Sequence, residues 1–239
     1  VVAFTPLGYI SLPTDGLSLR WFAAILDNPR FISAFWLSLA LGLVSSVIAT
    51  ALAVPAALAV ARFHFPGRDA ISAFLLSPLM IPHIVLGVAF LRFFSAVNIN
   101  GTFSGLVMAH VIVILPFALR LVLASATGMD PAVERAAVSL GAGRFTVFRR
   151  ITLPLILPGI VSGWLLAFIT SFDELTMSVF IASPSTTTLP VRMFLHIQDT
   201  IDPLVAAVSA LMIAGTLLLM GALDRLVGLE RLFVGKGKQ

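Results

Sequence analysis

The chain has 239 residues, 59% of them hydrophobic and 11% charged, with a formal net charge of +4 and a mean hydropathy of +1.07. A soluble domain averages roughly 45–50% apolar and about 25% charged residues, so this composition excludes a soluble fold and points to a bilayer. The absence of cysteine excludes a disulfide framework, a thiolate metal site and a cysteine nucleophile.

In chain order, Val1-Val2-Ala3-Phe4 opens without a methionine or a basic n-region. It reads as the tail of an apolar span rather than a signal peptide, with residues expected before Val1. Apolar runs of spanning length follow at Ile32–Val60, Ala70–Phe94, Phe103–Ala124, Leu155–Ile181 and Leu204–Leu223. With the N-terminal remnant these make six helices, the first truncated. Backbone polar groups in lipid must be satisfied within their own element, and no alternating strand pattern recurs, so the expectation is an all-α membrane protein: one six-helix transmembrane domain over residues 1–239.

Prolines interrupt several spans: Pro55, the pair Pro78 and Pro82, Pro116 and Pro158. They read either as ordinary membrane kinks or, at Pro78–Pro82, as a bend beside a translocation path. Ser183–Pro190 is a turn-rich outer loop leading into a short interfacial helix through His196.

Basic residues set the orientation. With the loop after Val60 inside, the inner side carries Arg62, Arg68, Arg120, Arg135, Arg144, Arg149, Arg150, Arg225, Arg231, Lys236 and Lys238. The outer side carries Arg20, Arg30, Arg92 and Arg192. These eleven and four account for all 15 basic residues, and the bias puts the C-terminus in the cytoplasm. The same partition explains the net charge without nucleic acid.

The polar segment 130–154 lies between two spans. Asp130 offers a side-chain acceptor at a helix N-cap and Pro131 suits N1, where no amide donor is needed. Glu134 falls in the first turn, favourable to the dipole. The helix is expected to run to Leu140, with Gly141 as a left-handed C-cap. A second short helix would carry Arg144, Phe145, Phe148, Arg149 and Arg150. Phe145 and Phe148, three apart, share a helix face; they form a partner site in a basic rim, or they tuck against the ends of the spans.

Ala136, Ala137, Gly141, Ile151, Leu153 and Pro154 stand at the spacing of the "EAA" loop, and the segment resembles that signature of type I binding-protein-dependent ABC import permeases. The motif's Glu position holds Arg135, with Glu134 one residue earlier and about 100° around the helix. Ser171-Phe172-Asp173-Glu174, followed by Phe180, Pro184 and Leu189-Pro190, looks like the corresponding region of second permease subunits of spermidine/putrescine importers. The resemblance covers nearly the whole chain. It implies the six-helix, MetI-like permease fold in a bacterial inner membrane, with the 130–154 loop as a coupling helix. It also implies two ATP-binding subunits, a second permease subunit, homologous rather than identical, and a periplasmic substrate-binding protein. ATP and Mg belong to the ATPase partners; this chain has no Gly-rich phosphate loop ending in Gly-Lys-Ser/Thr and needs no cofactor of its own. The substrate it favours is a polyamine or similar small amine, with an amino acid such as γ-aminobutyrate or an aminophosphonate as alternatives.

Asp173 and Glu174 are the acidic residues inside an apolar run, beside Phe172. A carboxylate at the centre of a span costs on the order of 2.5–3.5 kcal/mol, so it usually faces a cavity or a partner. Counted from Leu155, roughly 27 Å of helix puts the pair near the outer end of its span. There it attracts a cationic substrate, or is wetted by the interface, or caps the next turn. His83 and His110 lie within spans, as proton carriers or, better, as neutral side chains bonded to a neighbouring helix. Neither has a metal-ligand spacing. A secondary transporter would share the kinks and the intramembrane acid but would not need a docking loop. A hydrolase lacks a recognisable nucleophile and base in register.

Overall fold

The computed structural model describes residues 1–14 and 16–227; Arg231, Lys236 and Lys238, counted above for orientation, lie outside them. The described residues are mostly helical and contain no strand. Four helices are long and apolar enough to cross a membrane: α2 (Pro29–Arg62), α5 (Phe103–Thr127), α8 (Leu153–Phe172) with the turns that precede it from Arg144, and α11 (Leu204–Val227). A fifth candidate is a bent pair, α3 (Arg68–Leu76) and α4 (His83–Ala96), joined through a 3-10 turn at Ser77–Met80. The remaining helices are short: α1 (Arg20–Leu26), α6 (Pro131–Ser139), α7 (Arg144–Val147), α9 (Ser178–Ile181) and α10 (Leu189–Asp199).

Four spans and a bent fifth match the five long apolar runs. The sixth, expected from the first residues, is represented by a 3-10 turn over Val2–Phe4. The run Leu155–Ile181 is not one helix: α8 stops at Phe172 and α9 begins at Ser178. The break falls at the polar pair Asp173-Glu174, where Glu174 accepts the Met177 amide.

The prolines divide into two kinds. Pro55, Pro116 and Pro158 lie inside continuous helices. Pro78 sits in the 3-10 turn and Pro82 caps α4 after an extended Ile81 (φ −97°, ψ 127°), and the chain bends by 102° at this break. A proline disfavours α conformation in the residue before it, which is why Ile81 ends the helix.

The helices group into two compact units. The first comprises Val1–Gly42, Pro82–Val107 and Phe172–Ala222. Its core gathers Ala3, Trp21, Ile25, Phe31, Ala34, Leu189, Leu204, Ala207 and Val208, so α1, α2, α10 and α11 share one apolar cluster. Ser38 Oγ accepts the amide of Leu189 at 2.7 Å, tying α2 to the first turn of α10. His196 stands edge-on to Phe31, ring centroids 5.5 Å apart, with Nε2 3.2 Å from both oxygens of Asp202; Asp202 also accepts the amide of Leu204 at the start of α11. The loop before α10 hangs on one carbonyl: Ser183 and Thr186 hydroxyls donate to Gly101 at 2.9 and 3.0 Å.

The second unit holds the rest, Leu43–Ile81 and Met108–Ser171 with the described part of the C-terminal segment. Small residues set its spacing. Ala49, Ala53 and Ala57 of α2 are fully buried. On α8, a Cβ on Gly163 would lie 3.1 Å from the Ala118 carbonyl, and one on Gly159 would lie 2.4 Å from Ser125 Cβ and 2.8 Å from the Leu121 carbonyl. In lipid there is no hydrophobic drive between helices, so such close backbone approach, with its dispersion contacts, holds α5 and α8 together.

Candidate functional site

The polar segment of the second unit builds from its caps inward. Asp130 is extended and its Oδ1 accepts the Ala132 amide at 2.8 Å, with Pro131 next in line. The C-terminal end of α6 closes as a Schellman motif. Gly141 takes φ +87°, its amide donates to Val138 O at 2.9 Å, and the Ala142 amide donates to Ala137 O at 3.0 Å. The helix stops at Ser139, with Leu140 the half-in residue. Gly143, extended, opens α7, and Phe148–Thr152 widens into a π turn that runs into α8.

Glu134 turns inward from α6. Its Oε1 accepts the Thr152 hydroxyl at 2.6 Å and faces Arg62 Nη2 at 3.4 Å. Thr152 is 5% exposed. One carboxylate oxygen therefore ties α6 to the π turn below α8 and to the last residue of α2. Arg135, one position on, is exposed, as are Arg144, Arg149 and Arg150. The 100° step between neighbouring helical residues puts one member of the Glu134–Arg135 pair against the unit and the other outside it.

The other members of the expected set distribute between these two sides. Ala136 and Pro154 are exposed, while Ala137, Ile151 and Leu153 are half-buried. Leu140 is 90% exposed and Phe145 74%, against 36% for Phe148. Val147, between the two phenylalanines, is the residue that packs inward.

The acidic pair of the first unit separates in the same manner. Asp173 is exposed, whereas Glu174 is 5% exposed. Glu174 accepts the Met177 amide, at 3.0 and 3.2 Å from its two oxygens, and its Oε1 lies 3.2 Å from His83 Nδ1. It thus caps the turn that leads to α9 and fastens that turn to the first residue of α4. Gly87, one turn along α4, lets this happen: a Cβ there would lie 2.7 Å from Phe180 and 3.2 Å from the Met177 backbone. Phe172 is half-buried, edge-on to Phe35 with centroids 6.2 Å apart. In the second unit, His110 is fully buried with Nδ1 2.7 Å from Ser171 Oγ, a bond between neighbouring helices.

The sequence singled out Glu134, Glu174 and His83, the last as a side chain bonded to a neighbouring helix, but did not show which residues pair. Arg62, Thr152 and His83 gain their roles from contacts 72, 18 and 91 residues away, and no local pattern marks such pairs. Ser38 is a similar case. The one usable signal was Arg62 at the end of an apolar run, where a cation favours the helix C-terminus.

Residues 49–228 match the family described as binding-protein-dependent transport system inner membrane component. The spermidine/putrescine transport system permease protein PotC of Haemophilus influenzae is 35% identical over 209 residues, 87% of this chain and 81% of the relative. The putrescine transport system permease protein PotI of Escherichia coli is 31% identical over 205 residues, 83% of this chain and 73% of the relative. Among solved structures, a bacterial ABC transporter involved in the import of the acidic polysaccharide alginate superposes with a TM-score of 0.75 at 14% identity, covering 94% of this chain and 86% of that one; this is a likeness of fold. With that match over residues 49–228, this multi-pass helical chain belongs to the family of inner membrane components of binding-protein-dependent transport systems.

Proposed function

We propose that this chain is the permease subunit of an ATP-driven importer that moves a polyamine or related small amine from periplasm to cytoplasm. The observation that carries the coupling part of this reading is the doubly capped helix α6, held to its unit by Glu134 while Leu140, Phe145 and Arg135 stand free of it. A short rigid helix with an exposed apolar and cationic face is what a soluble motor needs as a handle. Two ATP-binding subunits would carry ATP and Mg and close beneath a pair of permeases, this chain and a homologue, in the inner membrane. The loop then transmits a two-state bias: ATP binding favours the closed pair, and the spans follow. The positive-inside asymmetry supports placing the loop and the C-terminus in the cytoplasm. The whole chain is read as one transmembrane domain, with loop 130–154 as its coupling element.

The amine reading rests on the polyamine relatives together with the exposed Asp173 beside Phe172. A carboxylate near the end of a span attracts a cation, and an adjacent aromatic face can receive an ammonium group. A periplasmic binding protein would deliver the solute to the outer loops around Ser11–Arg30 and Ser183–Asp202.

The decisive experiment is ATPase activity of the lipid-reconstituted complex isolated through this chain, with its binding protein and spermidine, putrescine or γ-aminobutyrate. Stimulation by one solute-loaded binding protein is expected, strongest with a polyamine. A complex without associated ATPase would overturn the importer reading; stimulation by γ-aminobutyrate alone would overturn the polyamine assignment.

A further inference from the structure

The outward face of the 130–154 segment has a composition that specifies its partner. The segment contains two carboxylates and four arginines. Both carboxylates already have internal work: Asp130 Oδ1 accepts the Ala132 amide, and Glu134 holds Thr152 and Arg62. The four arginines, Arg135, Arg144, Arg149 and Arg150, are all exposed and form no ion pair among the described residues. Between them stand the exposed apolar side chains of Val138 (54%), Leu140 (90%) and Phe145 (74%).

Resting on the docking role proposed above, we infer that the ATPase groove receiving this loop is acidic at its rim and apolar at its floor, and that Arg135 is the central cationic contact. Charge complementarity selects the partner. A groove lined by lysine or arginine would oppose four unpaired guanidinium groups, and juxtaposed like charges at an interface are strongly penalised. A carboxylate can take a guanidinium in a bidentate, planar pair that lysine could not reproduce. Arg135 is singled out because it lies on the capped helix itself, where its backbone is fixed by the Asp130 and Gly141 ends. Glu134, although an acid in the same turn, does not meet the partner: its Oε1 is turned toward Thr152 and Arg62.

The test is retention of the ATPase subunits by the affinity-tagged, nanodisc-reconstituted permease pair along a salt gradient, in zwitterionic lipid and again with anionic lipid. Arg135→Glu is expected to weaken retention about tenfold or more at low salt, with Arg135→Gln intermediate and a flatter salt dependence than the unaltered chain. Monodispersity of each variant on gel filtration separates loss of docking from loss of folding; the smaller Arg135→Gln change carries the test if the reversal does not fold. Equal or tighter retention by Arg135→Glu would overturn the inference. So would an effect of Arg135 seen only with anionic lipid, which would assign these arginines to headgroups. If the unaltered chain retained no ATPase in any lipid, the importer reading itself would fall, an outcome distinct from both.

Discussion

Glu134→Ala is the perturbation that most directly probes the anchoring of α6. Nine residues are too few for a stable isolated helix in water, so α6 depends on its caps and on whatever ties it down. The variant removes the acceptor of the Thr152 hydroxyl, a buried donor at 2.6 Å. A hydrogen bond to a charged group contributes about 1.5–3 kcal/mol. The Arg62 contact is longer, 3.4 Å, and its side chains are 17% and 23% exposed, so it adds at most about 1 kcal/mol. Local opening of α6 should therefore become easier by roughly 1.5–4 kcal/mol, or about 10- to 700-fold in equilibrium constant at 1.4 kcal/mol per decade. Native-state hydrogen exchange of the backbone amides of α6 reads this directly. Glu134→Gln keeps an acceptor and should lose less than half as much. Thr152→Val should show a coupling energy of about 1.5–3 kcal/mol with Glu134→Ala in a double-mutant cycle. Exchange in Glu134→Ala within threefold of the unaltered chain would refute the tether.

Three further outcomes follow from the same geometry. Gly141→Val should destabilise the end of α6 by about 1–2 kcal/mol through its left-handed backbone, with no steric clash because the space around it is open; Gly141→Asn should lose less, and solute transported per ATP should fall in the Val variant and recover in the Asn one. Gly159→Val should cost about 1–3 kcal/mol or more by overpacking against Ser125 and Leu121, read as a lowered Tm in detergent, and an unchanged Tm would show that α8 can shift away. Asp173→Asn should reduce uptake of a cationic solute while leaving Tm unchanged, whereas Glu174→Ala should lower Tm, because the buried Met177 amide loses its acceptor at about 1–3 kcal/mol; the reverse pattern would exchange the roles given to the two acids.

What the sequence disclosed and what it hid divide along a physical line. Spanning segments were legible because hydropathy is a property each residue carries with it, and five long apolar runs became α2, the α3–α4 pair, α5, α8 and α11. Helix ends were legible where a cap is local: Asp130-Pro131 starts α6, and Gly141 closes it one residue after Leu140. The break between α8 and α9 was not legible, because it depends on which way Glu174 turns. It turns toward His83, 91 residues back along the chain, and no window of sequence contains both. Phe145 and Phe148, expected to share a face, are unequally exposed, 74% against 36%.

The two acids that anchor the candidate sites, Glu134 and Glu174, have a common logic. Each stands beside a charged neighbour, Arg135 or Asp173, and in each pair one side chain turns into its unit while the other stays outside. A carboxylate drawn out of water needs partners, and both acids have them: Oε1 of the half-buried Glu134 has a hydroxyl and a guanidinium, and the buried Glu174 has a backbone amide and an imidazole. The outward member is then free to vary in sign without disturbing the fold. That separation lets Arg135 occupy the Glu position of the motif this segment resembles while Glu134 keeps its inward contacts. The caps at Asp130 and Gly141 and the inner carboxylate sustain the geometry of α6, so under the docking proposed above a reversal of charge at the outer position calls for a matching reversal in the partner.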